Sequence, residues 1–279
     1  MPKRFAKEAL ISKRQVFAFS LLSICLVLSG CGTMHSGKRW GEDATITPGW
    51  EKIGESAYDA LTSPMFYVPL AAALLLQIDG ADERLSDWAT EHTPIYGSME
   101  RADDISENIR SLTQYTLYAS WLATPGGDDP MGWVSAKAKG ALVQQAAVGL
   151  NGQFVEQIKD VTDRKRPNGD NDHSFPSGTA ANVTAFTTLT SRNVDVMNIP
   201  QQAKTTMHIG LYTLICAAAW GRVEGGCHYP SDALAGIAQG YFISSFINDS
   251  FMGLDSKMNG MPIAGFDGRE VFVGYCWRF

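Results

Sequence analysis

From Ser106 to Phe251, the sequence is a succession of helix-length segments, and strand signals are scarce. In Ser106–Ala123, apolar residues recur at three- and four-residue steps, which is the period of one face of an α-helix. Loop signals rich in Pro and Gly, such as Thr124–Pro130, separate the segments. The chain has 279 residues, 45% of them hydrophobic, which is enough for one domain with a buried core. The sequence therefore predicts an all-α fold, a bundle of about five or six main helices.

The segments differ in their predicted surroundings. The main helices are predicted at Met65–Ile78, Ser106–Ala123, Trp133–Lys165, Gly178–Thr190, Pro200–Trp220 and Asp232–Phe251. Met65–Ile78 is too short to span a bilayer and is predicted to be a buried core helix. The charged segment Asp79–Gly97 is predicted to be a connection or a short surface helix. No segment has the ~20 uninterrupted apolar residues that a spanning helix needs, which predicts a soluble or membrane-surface domain.

The C-terminal end carries the clearest strand signal. Arg269–Phe279 alternates and is rich in aromatic residues, as in a short β-strand. A terminal Phe on such a strand also resembles the last strand of outer-membrane barrels. One strand cannot close a barrel, and the remainder of the sequence is helical. The favoured interpretation is an edge strand, a small hairpin or a packed tail.

The N-terminal end has the architecture of a secretory signal. Five basic residues precede the apolar run Phe17–Leu28. The following "LSGC", Leu28–Cys31, resembles the lipobox of a bacterial lipoprotein, which implies cleavage before Cys31 and lipidation of this residue. The alternatives are an uncleaved anchor helix or a plain secretory signal. Gly32 stands where an Asp would indicate retention in the inner membrane, so the predicted location is the outer membrane, facing the periplasm.

This interpretation divides the chain into four parts. Residues 1–30 are predicted to be the signal peptide and residues 31–50 a polar, Gly-rich tether. Residues 51–253 are predicted to form the helical domain, with its motifs within residues 133–251, and residues 254–279 a tail with a short strand. The predicted membrane contact is the lipid anchor, and the sequence does not indicate an oligomeric state.

Net charge restricts the possible partners of this chain. Removing residues 1–30 takes away five basic residues and one acidic residue, which changes the formal net charge from −6 to −10. Such a charge argues against nucleic acid and against recruitment to anionic lipid by bulk charge. Any anionic ligand must therefore be bound by a local cluster of cations.

The cysteines give little information on cofactors. After cleavage and lipidation, Cys216, Cys227 and Cys276 remain, and the sequence does not determine whether any two of them pair. Cys216 lies in an apolar helical run and is predicted to be in the core. Neither a CxxC motif nor a Cys/His spacing typical of a metal site is present, so no metal or other cofactor is predicted.

Three short motifs carry residues that could perform chemistry. They are "KDVTDRKRP" (Lys159–Pro167), "PSGT" (Pro176–Thr179) and "GRVEGGCHYPSD" (Gly221–Asp232). Taken separately, each is weak evidence, because a basic helix end is usually solvated and Pro-Ser-Gly is usually a simple helix cap. Together they supply cations, a helix N-terminus suited to phosphate, and a histidine four residues before an aspartate.

Each residue type in these motifs suits a step of phosphate chemistry. Lys159, Arg166 and Arg222 would hold an anion, together with the Ser177 hydroxyl and the Gly178 amide. Lys159 and Arg166 are expected to project from one face of the same helix. The expected nucleophile is a nitrogen of His228, with Asp232 one helical turn later fixing the tautomer of the ring.

The combined motifs resemble those of the type 2 phosphatidic acid phosphatase (PAP2) superfamily, which also contains bacterial acid phosphatases and vanadium haloperoxidases. Lys159-x6-Arg166-Pro167 and Arg222-x5-His228-x3-Asp232 match its spacing in full, over roughly Trp133 to Phe251. The resemblance implies that His228 attacks phosphorus and forms a phosphohistidine, that Asp232 supports the charged ring, and that the cations stabilise the phosphoryl oxygens. No metal is required in this mechanism.

Two positions depart from the family pattern. Gly221 replaces a serine before Arg222, and Thr179 replaces a histidine that protonates the leaving oxygen. A threonine hydroxyl is too weak an acid for that role, and general-acid assistance contributes ~10²–10⁴-fold. In one interpretation, the enzyme acts on diphosphates or activated esters and needs no general acid. In a second, another histidine replaces the missing acid, with His173 preferred over His208. In a third interpretation, the site binds phosphate but turns over little.

The leading prediction is a metal-independent phosphatase of the cell envelope with a histidine nucleophile. Its substrates would be phosphomonoesters or diphosphates, including lipid phosphates, since the anchor places the protein at a membrane. The first alternative is a catalytically weakened phosphate-binding or scaffold lipoprotein that docks through its C-terminal strand. A vanadium-dependent haloperoxidase is the second alternative.

Overall fold

The computed structural model describes residues 32–254, 260–266 and 271–277. This part of the chain contains eight α-helices and one two-stranded sheet. The helices are α1 Trp50–Thr62, α2 Pro64–Leu75, α3 Ala81–His92, α4 Met99–Ala123, α5 Pro130–Thr162, α6 Gly178–Val196, α7 Gln201–Glu224 and α8 Pro230–Phe251. The strands are β1 Gly260–Phe266 and β2 Val271–Trp277. The predicted all-α fold is confirmed.

The C-terminal strands form an antiparallel hairpin, in which Ala264 pairs with Val273. The strand Val271–Trp277 lies within the predicted Arg269–Phe279. Its partner strand is Gly260–Phe266, which the sequence did not predict. Of the proposed forms of the tail, the small hairpin is therefore the one that the structure has.

The C-terminal end of α5 differs from the prediction in a way that affects the site. The helix ends at Thr162 rather than Lys165, because Asp163 takes a left-handed conformation with φ of 46°. Arg166 therefore lies in the loop after the helix, whereas Lys159 lies on its last turn. The expectation that both side chains project from one helix face is wrong, and Arg166 approaches from the loop.

The N-terminal end of α4 lies earlier in the chain than predicted. The helix begins at Met99 rather than Ser106, and the Ser98 hydroxyl caps it by accepting a hydrogen bond from the Arg101 N–H at 3.2 Å. The added turns bring Asp103 onto the helix that already contained Glu107. Since these two residues are four apart, their carboxylates lie on the same face.

Helix α6 lies at the centre of the bundle and is buried along nearly its whole length. Three of its threonines can be buried because their hydroxyls donate to carbonyls one turn earlier, at 2.8 Å in each case; they are Thr184, Thr187 and Thr190. Helix α8 packs closely against α6 because Gly236 and Gly240 have no side chains, and a Cβ at either position would overlap the α6 backbone. This packing brings the N-terminal ends of α6 and α8 together.

The segment before α1 is packed against the bundle. The side chain of Trp40 is fully buried, and its Nε1 donates to the Asn193 side chain at 3.1 Å. The Trp40 backbone N–H donates to the Pro125 carbonyl at 2.8 Å, and the side chain of Met34 is also buried against Met252. Residues 32–40 are therefore part of the folded body, which differs from the predicted polar tether.

Helix α2 is more exposed than the predicted buried core helix. Only Ala73 in it is buried, whereas Val68, Leu74 and Leu75 are exposed. Within the described residues, none of the helices taken singly is long and apolar enough to cross a membrane. Helix α2 and the segment Ile78–His92 meet the length and composition criteria only as a pair, bent by 81°.

Cys216 and Cys227 are both free. Cys216 is exposed on α7, so its predicted place in the core is wrong, while Cys227 is buried. The side chain of Cys276 and the predicted lipidation site Cys31 lie outside the described residues.

Candidate active site

The three sequence motifs meet where α6 and α8 begin. Lys159 lies on the last turn of α5, and Arg166 lies in the loop that follows. Ser177–Gly178 begins α6, where Ser177 is the N-cap. Arg222 lies on the last turn of α7, and His228 lies in the turn before α8. The sequence therefore identified residues that the fold brings to one end of the bundle.

The imidazole of His228 is buried and held in one tautomer. Only 2% of the residue is exposed, and Nδ1 lies 2.6 Å from the carbonyl oxygen of Ser174. A carbonyl can only accept a hydrogen bond, so Nδ1 carries the proton in this contact. In the neutral ring, Nε2 then has a free lone pair, which is the form that a nitrogen nucleophile needs.

Three cations surround this ring. Burial lowers the pKa of His228 well below its usual value, and the charges of Arg222, Arg166 and Lys159 lower this pKa further, against the opposing hydrogen bond to Ser174. The ring is therefore neutral at neutral pH. The structure supports the predicted grouping of the three cations with the histidine.

Both arginines retain hydrogen-bonding capacity inside this cluster. The Nε atoms of Arg166 and Arg222 are buried, and neither has a hydrogen-bond partner in the described part of the chain. Buried donors are nearly always paired in folded proteins, so each unpaired donor requires an explanation. An anion bound between the two guanidinium groups would satisfy both atoms.

The start of α6 adds hydrogen-bond donors to the same place. The Ser177 backbone N–H donates to the Asp232 carbonyl at 2.9 Å, which fixes the two helix starts against each other. The Lys159 ammonium lies 3.5 Å from the position that a Cβ on Gly178 would occupy. The backbone N–H groups in the first turn of a helix lack intrahelical partners, and the lysine thus lies beside a helix end suited to phosphate.

Asp232 acts on the histidine indirectly. Its Oδ2 is 3.9 Å from Nδ1 of His228, beyond hydrogen-bond distance. The carboxylate instead accepts from the Ser174 hydroxyl at 2.5 Å and from the Tyr229 N–H at 2.9 Å. The expectation that Asp232 itself fixes the tautomer is therefore corrected: the Ser174 carbonyl holds the ring, and Asp232 holds Ser174.

A buried ion-pair network supports Asp232, and the sequence analysis missed it. Arg164 lies 2.6 Å from Asp232 and 2.8 Å from Asp82 on α3, with its guanidinium over the Tyr229 ring. Asp82 also accepts from the Ser231 backbone N–H at 2.8 Å. Arg164 lies inside the "KDVTDRKRP" motif, which was a usable signal, whereas the charged segment around Asp82 gave none.

The position of the missing histidine is occupied by a hydrogen-bonded pair. The Thr179 hydroxyl donates to Oε1 of Glu107 at 2.7 Å. The other carboxylate oxygen accepts from Nε of Arg110 at 2.7 Å, and Nη1 of Arg222 lies 3.3 Å from Oε1. Nη1 of Arg222 also donates to Asp103, one turn earlier on α4. Helix α4 thus contributes two carboxylates beside the cation cluster, which the sequence analysis did not predict.

The two histidines proposed as substitute acids lie in different surroundings. His173 is exposed in the loop before α6, and its backbone N–H donates to Asn171 at 3.0 Å. The His208 ring is buried between Ser191 at 2.8 Å and Asp195 at 3.0 Å. Ser191 is ~18 Å along α6 from Thr179, at ~1.5 Å per residue. His208 therefore does not face the site and cannot be the substitute acid.

The chemical capacity of the cluster is that of an anion site with a nucleophile. A neutral, buried imidazole with a free Nε2 lies among three cations and beside a helix N-terminus, as described above. Among the residues that the structure describes, no group of three or more His, Cys, Asp or Glu side chains could hold a metal ion. The donors present favour a tetrahedral oxyanion such as a phosphoryl group.

Comparison with known proteins agrees with the fold. Residues 141–252 match the family model of the PAP2 superfamily, and no curated protein matches the chain. A similar solved structure is the crystal structure of a transmembrane PAP2-type phosphatidylglycerolphosphate phosphatase from Bacillus subtilis. The two chains share 17% sequence identity and superpose with a TM-score of 0.51, over 68% of this chain and 94% of the other.

Proposed function

We propose that this chain, whose residues 141–252 match the family model of the PAP2 superfamily, is a phosphatase that works through a phosphohistidine on His228. The observation that carries the proposal is the state of this residue. The Ser174 carbonyl, 2.6 Å from Nδ1, leaves Nε2 free inside a cluster of three cations. A nucleophile with a free lone pair and a phosphoryl-binding cluster beside it are the two parts that phosphoryl transfer requires.

In the first step, Nε2 of His228 attacks phosphorus and the bond from phosphorus to the leaving oxygen breaks. Positive charge then develops on the ring, and the Ser174 carbonyl and the nearby Asp232 carboxylate stabilise it. Negative charge develops on the phosphoryl oxygens, close to Arg166 and Arg222. In the second step, water attacks phosphorus, the P–N bond breaks and inorganic phosphate is released.

The cations perform the electrostatic part of this reaction. The unpaired Nε atoms of Arg166 and Arg222 would donate to phosphoryl oxygens, and the Lys159 ammonium would lie beside the Ser177–Gly178 end of α6. Preorganised donors of this kind are worth ~10²–10³-fold each in kcat. The site residues require no metal in this scheme, because fixed positive charge already faces the transferred group.

The proposed substrates are phosphomonoesters or diphosphates, and lipid phosphates in particular. The similar structure from Bacillus subtilis is described as a phosphatidylglycerolphosphate phosphatase, which supports this class of substrate. The lipobox at Leu28–Cys31 supports a lipid-anchored protein of the bacterial cell envelope, with Gly32 favouring the outer membrane and a domain that faces the periplasm. An anchored enzyme would meet membrane lipids as its nearest phosphorylated substrates.

Phosphate release from the purified protein tests the proposal. Protein lacking residues 1–31 should hydrolyse p-nitrophenyl phosphate or a polyprenyl diphosphate, and His228→Ala should abolish this activity. His35→Ala, at an exposed histidine of the N-terminal segment, is the matched control and should leave the rate unchanged. Full activity in His228→Ala would refute the mechanism.

His173 is kept as a proposed proton donor because its loop adjoins the site. His173→Ala should then lower the rate on alkyl phosphomonoesters but not on diphosphates, whose phosphate leaving group needs little protonation. Equal rates for His173→Ala and the unmodified protein on both substrates would remove it from the mechanism.

A further inference from the structure

The strongest unexplained contact in the site is the one between Thr179 and Glu107. The Glu107 side chain is 40% exposed, so water reaches it even though Thr179, Arg110 and Arg222 also bind it. It lies 2.7 Å from the Thr179 hydroxyl and 3.3 Å from Nη1 of Arg222, one of the proposed phosphoryl-binding groups. A carboxylate therefore stands beside the position from which the histidine is missing.

Both departures from the family motifs lie against the same helix. A Cβ on Gly221 would come within 3.0 Å of the Ala102 carbonyl oxygen and of the Ser106 Cβ, both on α4. Contacts of this length are tighter than most real Cβ contacts, so the glycine permits a closer approach of α7 to α4 than a serine would. That approach brings Glu107 to Arg222 and to Thr179, and the two replacements are thus connected through α4.

The ionisation of Glu107 indicates which proton transfer it can perform. Partial burial raises its pKa, but hydrogen bonds from Thr179 and Arg110 and the charge of Arg222 outweigh this effect, so the pKa lies below its usual value. Asp103, one turn earlier on α4, shares Arg222 with it. An ionised carboxylate at neutral pH can accept a proton but has none to donate, which is the opposite of an acid for the leaving group.

On the basis of these contacts, we propose that Glu107 is the general base of the second step. This inference rests on the phosphohistidine mechanism proposed above. The Glu107 carboxylate takes a proton from water while the water oxygen bonds to phosphorus. The bond from phosphorus to Nε2 of His228 breaks, and its electron pair returns to the ring. Phosphate leaves, and Glu107 releases its proton to solvent, so the site returns to its starting state.

This role also restricts the substrates. In the first step, the ionised Glu107 gives the leaving oxygen no proton. A leaving group that is stable as an anion, such as the phosphate of a diphosphate or an aryl oxide, needs no proton. Diphosphates are accordingly the preferred class of natural substrate, whereas alkyl phosphates depend on His173 as the proposed proton donor.

Rapid-quench kinetics with p-nitrophenyl phosphate separates the two steps. In Glu107→Gln, the first step should remain, giving a burst of one p-nitrophenol per enzyme and a trapped phosphohistidine. The steady-state rate should then fall by ~10²–10⁴-fold. Glu100→Gln, the same substitution at an exposed residue of α4, is the matched control and should keep the unmodified protein's rate. Thr179→Val, which removes only the hydroxyl that donates to Glu107, should also accumulate phosphohistidine, but less of it than Glu107→Gln.

The outcomes distinguish this inference from the proposed function. If the unmodified protein forms phosphohistidine and Glu107→Gln turns it over at the same rate, the base assignment is wrong and the phosphatase mechanism stands. A loss of the burst together with the steady-state rate, in a variant with unchanged thermal unfolding, would also reject the base role. If the unmodified protein hydrolyses substrate but forms no phosphohistidine, the proposed mechanism fails first, and the inference fails with it.

Discussion

The ring of His228 is held by the backbone of Ser174, whose carbonyl oxygen lies 2.6 Å from Nδ1. A backbone acceptor cannot be lost by side-chain substitution, so the tautomer that leaves Nε2 free is fixed by the path of the loop. Asp232 contributes by binding the Ser174 hydroxyl at 2.5 Å and by its charge. The effect of substituting Asp232 should therefore be smaller than in sites where the carboxylate binds the ring.

Asp232→Asn tests this arrangement. Where an aspartate bonds the catalytic histidine directly, replacement by asparagine lowers kcat by ~10⁴-fold through the wrong tautomer. Here the carbonyl of Ser174 still sets the tautomer, and we expect a much smaller loss, measured as kcat at saturating p-nitrophenyl phosphate. His228→Ala is the reference for complete loss. A decrease in Asp232→Asn as large as in His228→Ala would show that the carboxylate, and not the carbonyl, governs the ring.

The pH dependence of kcat/KM should reflect the lowered pKa of His228. Burial and the charges of Arg222, Arg166 and Lys159 keep the ring neutral, so protonation of the nucleophile inactivates the enzyme only below pH ~6.5, the ordinary histidine value. Replacing Lys159 by Met removes one charge and should move this acid limb to higher pH. Ionisation of the substrate affects the Lys159→Met variant and the unmodified protein equally. The difference between their pH profiles therefore reflects the ionisation of a group on the enzyme. Coinciding acid limbs would contradict the electrostatic argument.

Arg164→Met should destabilise the fold. The guanidinium bridges Asp82 and Asp232, whose side chains are 1% and 0% exposed, and its removal leaves two buried carboxylates without their cation. Breaking a buried ion pair in this way costs about 3–5 kcal/mol, which urea unfolding can measure. Arg84→Met, at an arginine that is 64% exposed, is the matched control and should change the free energy of unfolding by less than ~0.5 kcal/mol. Equal effects at the two positions would mean that the network is not stabilising.

Gly221→Ser restores the residue type of the family motif and should be unfavourable here. Its Cβ would meet Ala102 and Ser106 at 3.0 Å and displace α4 by a few tenths of an ångström, with an expected loss of ~1–3 kcal/mol. Gly210→Ser on the same helix has open space around the new Cβ and should be neutral or slightly stabilising. Thermal unfolding compares the two. If Gly221→Ser were as stable as Gly210→Ser, the close approach of α7 to α4 would not depend on the glycine.

The sequence predicted the parts of the site that local spacing determines. The sequence analysis identified Lys159, Arg166, Arg222 and His228 because their spacing matches motifs that the fold brings to the starts of α6 and α8. Glu107 was not identified, since nothing in its own helix indicates that a residue so distant in sequence will approach it. Its contact with Thr179 arises from the packing of α4, which depends on the whole bundle.

The errors in the predicted fold also arise from interactions that a local pattern does not contain. Helix α5 stops at Thr162 because Asp163 takes a left-handed conformation, although the residues up to Lys165 suit a helix. His208 was considered as a substitute acid, but Ser191 and Asp195 bind its ring at the other end of α6. Apolar runs gave the positions of helices more reliably than their burial, as Cys216 and α2 show.

The packing of the N-terminal segment has a consequence for an anchored protein. The Gly32 carbonyl accepts from the Gly127 N–H at 2.6 Å, the Thr33 carbonyl accepts from the Asn198 side chain at 3.0 Å, and Trp40 is fully buried. A lipid on Cys31 would thus be joined to the body with almost no slack between them. Without a flexible linker, the domain could not move far from the membrane surface to reach distant substrates. An anchored domain of this kind would stay close to the bilayer, and the substrates within its reach would be those that the membrane presents.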